Sequence, residues 1–407
     1  MNVQMNSTRN LPTLCSNPLS NLSFVGSYYS ILNSFKQSHQ RLSQIQYIAQ
    51  SLNLKLNLNL SILFTLTFLV ALIHSVPSFA QSTAQNQNQI QAQFQTPAKG
   101  PSTPNYPTKS ITLIVPFPAG GSSDTVSRTI ARKLSLQLGQ PVVVENHPGA
   151  GGNIGCDLVA KASPDGYTLL ITTTSTHGIG AALNKKTPFN YDSDFTPIIH
   201  LATAPNIFLV TKQIPVTNLK EFIVYAKAHP DSLNFGSAGT GTIMHLTGES
   251  FNAEAGTNML HIPYKGSSLA MPDLISGKIQ VIFDSIVSGV QHVEDGKLNV
   301  ITVTGKKRSP LLPGVPTLSE IGAPYGLSNF VSENWWGLYG PKNLPQNVTD
   351  KLNSELNIAL KSQEVREQLA RQGAETGGGS AKAFTELVLT DRARWAKLIK
   401  DNKIVID

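Results

Sequence analysis

The sequence predicts an α/β protein with largely parallel sheets, and three observations carry that expectation. From Tyr106 onward, short apolar runs alternate with helical patterns. Several runs, such as "ITLIV" at 111–115, are apolar throughout, as strands are when helices cover both faces. Three loops rich in glycine and hydroxyls follow strands and precede helical stretches, where open α/β sheets bind ligands.

Along the chain, residues 1–80 hold four basic residues, Arg9, Lys36, Arg41 and Lys55, and no acid. They end in an apolar run over 62–73, then small residues at Ser78 and Ala80, which predicts a secretory signal cleaved after Ala80. The alternative is a membrane anchor, but the run is short of the ~20 residues that span a bilayer. Residues 81–105 are a Gln/Asn tract running into Pro and Gly, expected to form a flexible tether. Loss of the signal removes four of the 32 Lys and Arg, leaving 28 against 25 Asp and Glu, a net charge of +3. No Lys/Arg run tracks a nucleic-acid backbone and no basic amphipathic helix suits a lipid surface, so nucleic acid is not an expected partner. The two cysteines are Cys15, lost with the signal, and Cys156, expected as a small buried hydrophobe.

Strands are predicted near 111–115, 141–145, 168–173, 197–202, 206–211, 233–235, 259–263, 279–283, 298–304 and 336–339. The helix over 125–138 places Val126, Ile130, Leu134 and Leu138 on one face and stops at Gly139. A second helix follows Asn218, which has capping-box spacing to Glu221. Three helical patterns close the chain, at 346–361, 363–372 and 381–401, and are expected to wrap back over the first domain. No internal repeat is visible.

The first glycine loop is "PFPAGGSSD", 116–124. A strand ending in a glycine turn that opens a helix presents unpaired backbone N–H groups and the positive end of a helix dipole, which suits an anion. Capping by Ser122, Ser123 and Asp124 is the competing reading. The second and third loops are "FGSAGTGTIMHL" (235–246) and "TTTSTHG" (172–178). "GAGGNIG" (149–155) resembles a dinucleotide fingerprint but has Ile154 where the third glycine belongs, so it reads as a turn with close helix packing. "GSAGTG" lacks the order of a hydrolase elbow, which makes Ser237 a poor nucleophile. His177, His245 and His261 show no metal spacing, and neither metal nor cofactor is expected. Trp335 and Trp336 point to opposite sides of an extended segment; core packing is the default for the pair and a cleft wall the alternative.

In order, "YPTKSITLIVPFPAGGSSD", "VVENHPGAGGNIG", "SPDGYTLL", "LNFGSAGTGTIMHL", "HIPYKGSSLAMPDLISGKIQVIFDSI", "GKLNVITVTGKKRSPLLPGVPTLSEIG" and "ENWWGLYGP" resemble the Bug family, the periplasmic substrate-binding proteins of tripartite tricarboxylate transporters. The likeness covers 106–405. It implies a two-domain Venus flytrap with two crossovers at the hinge, domain 1 being 106–205 plus 333–407 and domain 2 being 206–332. It further implies a monomer in the periplasm that binds a small carboxylate (a di- or tricarboxylate, an acidic amino acid or an aromatic acid) and delivers it to the membrane subunits of the transporter. By resemblance, Phe117, Ala119, Gly120 and Ser123 form one half of a carboxylate pincer, with Asp124 steadying it. Thr174, Ser175 and Thr176 match a further loop, Ser237, Gly239, Thr240 and Thr242 match the other half, and Tyr264 and Asp284 border the cleft. The N-terminal extension and tether depart from the family pattern, as does Thr242 where serine is common. The readings set against transport are a binding protein that signals to a membrane partner, and a cleft enzyme, for which no nucleophile, base and orienter can be assembled.

Overall fold

The computed structural model describes residues 106–183 and 186–404; the expected signal and tether lie outside the described residues. Ten strands form one curled, mixed sheet in the order β2-β1-β3-β9-β4-β7-β5-β6. Its first half consists of β1 (Ile111–Val115), β2 (Val142–Asn146) and β3 (Thr168–Thr173), mutually parallel, followed by β9 (Glu333–Pro341) antiparallel to β3. The second half holds β5 (Asn234–Ser237), β6 (Leu260–Pro263), β7 (Val281–Ser285) and β8 (Leu298–Val303). The two halves share β4 (Phe195–Thr211), 17 residues long, whose first part pairs with β9 and whose last residues lie between β7 and β8.

The sheet is less parallel than the alternation of elements predicts: among the described residues four strand pairings are parallel and five antiparallel. The reason is topological. β4 leaves the first half and β9 re-enters it, so the two must run in opposite directions, and apolar runs carry no sign of direction. The strands predicted at 197–202 and 206–211 are one continuous strand, and β10 (Glu375–Thr376), too short for any periodicity, pairs with β4.

Both sheet faces are covered, which accounts for runs apolar at every position. Along β4, Ile207 and Leu209 join one core, while Phe208 and Val210 join another rich in phenylalanine. Trp336 packs into the first of these and Trp335 into a third cluster with Phe195, Tyr339 and Phe384, so the tryptophan pair is core on both sides. Cys156 is fully buried in α2 (Asn153–Ala160), where burial pushes its thiol well above the usual range. The helix predicted from 125 is α1 (Ser122–Leu138), ended by Gly139 in the left-handed conformation at φ 64°. α3 (Leu219–Ala228) is capped by the side chain of Asn218, which accepts the Glu221 N–H at 3.0 Å. The remaining helices are α4 (Ile243–Ala255), α5 (Ser267–Ile275), α6 (Ile286–Glu294), α7 (Leu318–Ile321), α8 (Gln346–Lys361), α9 (Gln363–Arg371) and α10 (Ala381–Asp401). α8 and α9 pack on α1, and α10 packs on β4. Among the described residues no helix is long and apolar enough to cross a membrane.

The chain passes between the halves at Pro205–Asn206 and Ser332–Glu333, and a buried polar knot joins these points. Asn206 N–H donates to Ser332 O (3.3 Å), Ser332 N–H to Thr304 O (2.8 Å) and Thr304 N–H to Asn206 O (2.9 Å). The Asn206 amide donates to Ser332 Oγ at 3.0 Å and accepts from the Asn334 amide at 2.6 Å. Asn206→Ala would remove both side-chain bonds and leave the buried Asn334 amide without its acceptor, while Ser332 Oγ keeps Thr247 Oγ1 at 2.6 Å; we expect a loss of about 1–3 kcal/mol in urea unfolding, and a variant as stable as the parent would show that the knot is not a stabilising element.

Candidate ligand-binding site

Three helices begin at one small cavity. The residues preceding α1, α4 and α5 are Gly121, Thr242 and Gly266, and none makes a side-chain cap. First-turn N–H groups of an uncapped helix lack intrahelical partners and carry the positive end of the dipole. Gly121, Ser122 and Ser123 from the first, Ile243 and Met244 from the second, and Ser267 and Ser268 from the third line a cavity of about 40 Å³. Phe117, Pro118, Thr173, Ser175, Ala238, Asp284 and Asn334 complete the wall, so no Lys or Arg contributes to it. The competing reading of "SSD" as a side-chain cap does not match α1: Gly121 is the capping residue, and the two serines belong to the first helical turn.

The first loop is held from behind. Asp124 accepts from the Gly120 N–H at 3.1 Å, Arg128 Nε at 3.0 Å and the Asn146 amide at 3.0 Å, while Asn146 also donates to Phe117 O at 3.0 Å. Burial works against its ionisation, but Arg128, Gly120 N–H and Asn146 outweigh burial and hold its carboxyl below the usual range. Gly120 permits the turn at φ 79°. Ser123 Oγ accepts from Trp336 Nε1 at 3.0 Å, which ties the loop to the core.

The stretch "TTTSTHG", read as a loop, forms a π-helix over Thr174–Gly180. Thr173 and Thr176 cap it reciprocally, and Thr174 Oγ1 accepts from Trp335 N–H at 2.9 Å. Four of the five hydroxyls, those of the threonines, are therefore used in bonds within the scaffold. Ser175 is left facing the cavity, where its Oγ accepts from Ile243 N–H at 3.1 Å. Ser175 also lines a wider second cavity of about 410 Å³, with Gly151, Gly239, Thr240 and Tyr264 among its walls.

Of the residues singled out from sequence, Phe117, Ser123, Ser175 and Asp284 come together at the small cavity, and Gly239, Thr240 and Tyr264 meet Ser175 at the wider one. Ala119, Gly120, Asp124, Thr174, Thr176, Ser237 and Thr242 line neither; they hold the loops. Thr242 Oγ1 donates to Gly239 O at 2.7 Å, Ser237 Oγ accepts from Gly239 N–H at 3.0 Å, and Ala119 O accepts from Ser268 Oγ at 3.1 Å. Tyr264 donates to Asp273 at 2.8 Å, and its pKa is pushed up to about 12, by burial first and by Asp273 second. Sequence reasoning missed Ser267, Ser268 and Asn334. The two serines had a readable signal, because "KGSSL" repeats the glycine–hydroxyl–helix pattern of the other loops; Asn334 had none.

The histidines are structural in setting. His177 is wholly buried with Nδ1 at 2.7 Å from Thr172 Oγ1, and burial, reinforced by Arg392, lowers its pKa to about 3. His261 stacks on His245 with centroids 3.8 Å apart, and burial followed by the charge of His245 brings it to about 3. Its Nε2 lies 2.6 Å from Ser237 Oγ, a nucleophile-to-base spacing, but Ser237 is fully buried. Among the described residues no three His, Cys, Asp or Glu side chains gather as a metal would need.

Residues 126–404 match the family model described as tripartite tricarboxylate transporter family receptor. The chain belongs to this family. Among solved structures, it is similar to R. palustris Rpa4515 with adipate, at 34% identity and TM-score 0.71 over 74% of this chain and 99% of that one. It is also similar to MatC (Rpa3494) from Rhodopseudomonas palustris with bound malate, at 33% identity and TM-score 0.68 over 72% and 100% of the two chains. The periplasmic binding protein BugD is 34% identical at TM-score 0.70, over 74% of this chain and 99% of that one. The fold is thus that of the periplasmic binding proteins, and the Bug resemblance read from the motifs holds.

Asp284 gives the site a pH signature. Burial raises its pKa from 3.8 to about 6, against hydrogen bonds from Ser288, Ser285 N–H and Ser267. A raised carboxyl pKa means that the folded state disfavours the ion, so stability falls as pH rises from about 4 through about 6 and stays lower above. Asp284→Asn, which cannot ionise, should therefore gain up to about 3 kcal/mol over the parent at neutral pH, with the gap closing toward pH 4. Thermal unfolding of both proteins across that range would show it; a gap that does not vary with pH would contradict the assignment.

Proposed function

We propose that the protein is a periplasmic receptor that closes on a small organic carboxylate and passes it to the membrane subunits of a tripartite tricarboxylate transporter. The observation that carries this reading is the convergence of three uncapped helix N-termini on one cavity walled without Lys or Arg. A hydrogen bond to a charged group contributes about 1.5–3 kcal/mol and a micromolar dissociation constant needs about 8, so a handful of N–H and hydroxyl donors suffices. Membership of the receptor family supports the transport role, and the adipate and malate carried by two of the solved relatives support the ligand class.

The working step is domain closure, with no bond made or broken. We take 106–205 with 333–407 as one lobe and 206–332 as the other, turning on the Asn206–Ser332 knot. The first lobe contributes the N-terminus of α1 and Ser175, the second those of α4 and α5 together with Asp284. The lobes touch at the rim: Ser268 Oγ donates to Ala119 O at 3.1 Å, and Gly266 sits so close to Pro118 that a Cβ there would lie 2.2 Å from its ring. A cavity of about 40 Å³ has room for a few waters, so entry of a dicarboxylate requires these contacts to part. Export through the signal at 1–80 and action as a monomer complete the proposal.

The test is a thermal-shift screen of the purified protein against di- and tricarboxylates, acidic amino acids and aromatic acids. A ligand at 100 times its dissociation constant adds about 2.7 kcal/mol of stability, so one chemical class should raise the melting temperature clearly. Silence across the whole panel would sink the carboxylate reading.

A further inference from the structure

The small cavity has a single ionisable group in its wall, and that group is an acid. Asp284, on β7, is 1% exposed and shares the wall with the three helix N-termini. Its Oδ1 accepts from Ser285 N–H at 2.9 Å and its Oδ2 from Ser288 Oγ at 2.8 Å, so both oxygens are held by the start of α6. An ionised carboxylate beside a bound carboxylate is repelled, and the repulsion is strong where water is excluded. A neutral acid in the same place offers an O–H to the ligand.

We infer that Asp284 enters the complex as the neutral acid and donates its proton in a hydrogen bond to a carboxylate oxygen of the ligand, so that each carboxylate captured brings one proton from solvent into the cleft. The inference rests on the carboxylate reading above. Burial already holds the carboxyl near pH 6, and a second negative charge beside it raises the value further.

No other charged group takes over this role. The elements packed on β7 are β4, β5, α4, α5 and α6. Their ionisable side chains are His200 on β4, His245, Glu249 and Glu254 on α4, Asp273 on α5, and His292 and Glu294 on α6, with none on β5. α1, which reaches the cavity from the opposite side, carries Asp124, Arg128, Arg132 and Lys133. None of these residues lines the cavity, and the causes of the Asp284 shift are burial and neutral hydrogen-bond donors alone. With no cation within the wall, a proton is the neutralising charge available.

The experiment is isothermal calorimetry with adipate and with malate as probes, between about pH 6.5 and about pH 8.5, where both are fully ionised, repeated in buffers of different ionisation heat. Uptake of one proton predicts that the dissociation constant rises about tenfold per pH unit above the free-state pKa and that the binding heat varies with the buffer. Asp284→Asn, checked for cooperative unfolding, should bind with an affinity that does not change over the same range. Binding by the parent with a flat pH profile and no buffer dependence overturns the inference while leaving the carboxylate reading standing. A variant that keeps the parent's slope also overturns it. If neither probe, nor any carboxylate of the screen, binds at any pH, the carboxylate reading fails and the inference with it. The buffer dependence of the parent protein decides the matter even if the variant does not fold.

Discussion

The rest of the structure depends on one polar crossing, where β4 leaves the first half of the sheet and the chain returns into β9. Asn206, Thr304 and Ser332 exchange backbone and side-chain hydrogen bonds there, all of them buried. Two strands passing close together constrain each other, and buried donors and acceptors hold their partners because exposure without replacement is expensive. The crossing is therefore a fixed point shared by the two halves, and in the proposed receptor it is the place about which they would turn. The helix N-termini at the cavity belong to different halves, so whether they converge is decided by the angle at that crossing.

In the proposed function an anion is held without cations. Fixed N–H groups and helix dipoles offer partial positive charge that needs no desolvated counter-ion. The residues ahead of the helices, Gly121, Thr242 and Gly266, leave these groups uncapped by their own side chains, although the Ile243 N–H at the start of α4 donates to Ser175 Oγ across the cavity. The polar side chains nearby serve the scaffold: Asp124 ties the turn, Thr173 and Thr176 cap the π-helix, and Thr242 pins Gly239. Asp284 is the exception, an acid kept buried in the wall among donors that favour negative charge.

Much of this was readable in the sequence. The strands were legible because buried strands are unbroken apolar runs, and α1 because its apolar residues recur at helical spacing and stop at Gly139. Strand direction was not legible, because an apolar run reads the same both ways, and the fusion of two predicted strands into β4 was hidden by Pro205 in its middle. At the candidate site, glycine beside hydroxyl beside helix marked loops that meet in space, and Phe117, Ser123, Ser175 and Asp284 line one cavity. Which of several neighbouring hydroxyls faces the cavity was not legible. In "TTTST" the hydroxyls look alike, yet only Thr173 and Ser175 reach the cavity wall, while Thr172, Thr174 and Thr176 bond within the scaffold.

By itself, then, the sequence determined the local grammar: where most strands and helices run, which turns join glycine to hydroxyls ahead of a helix, and the family to which the motifs belong. Those are short-range matters, fixed by side-chain period and by backbone freedom at glycine. Tertiary structure alone decided which loops share a cavity, that Ser267 and Ser268 join them, and that Asp284 lines that cavity from a buried position. Each of those facts is a distance between residues far apart in the chain, and no local pattern encodes how the two halves of the sheet meet at Asn206 and Ser332.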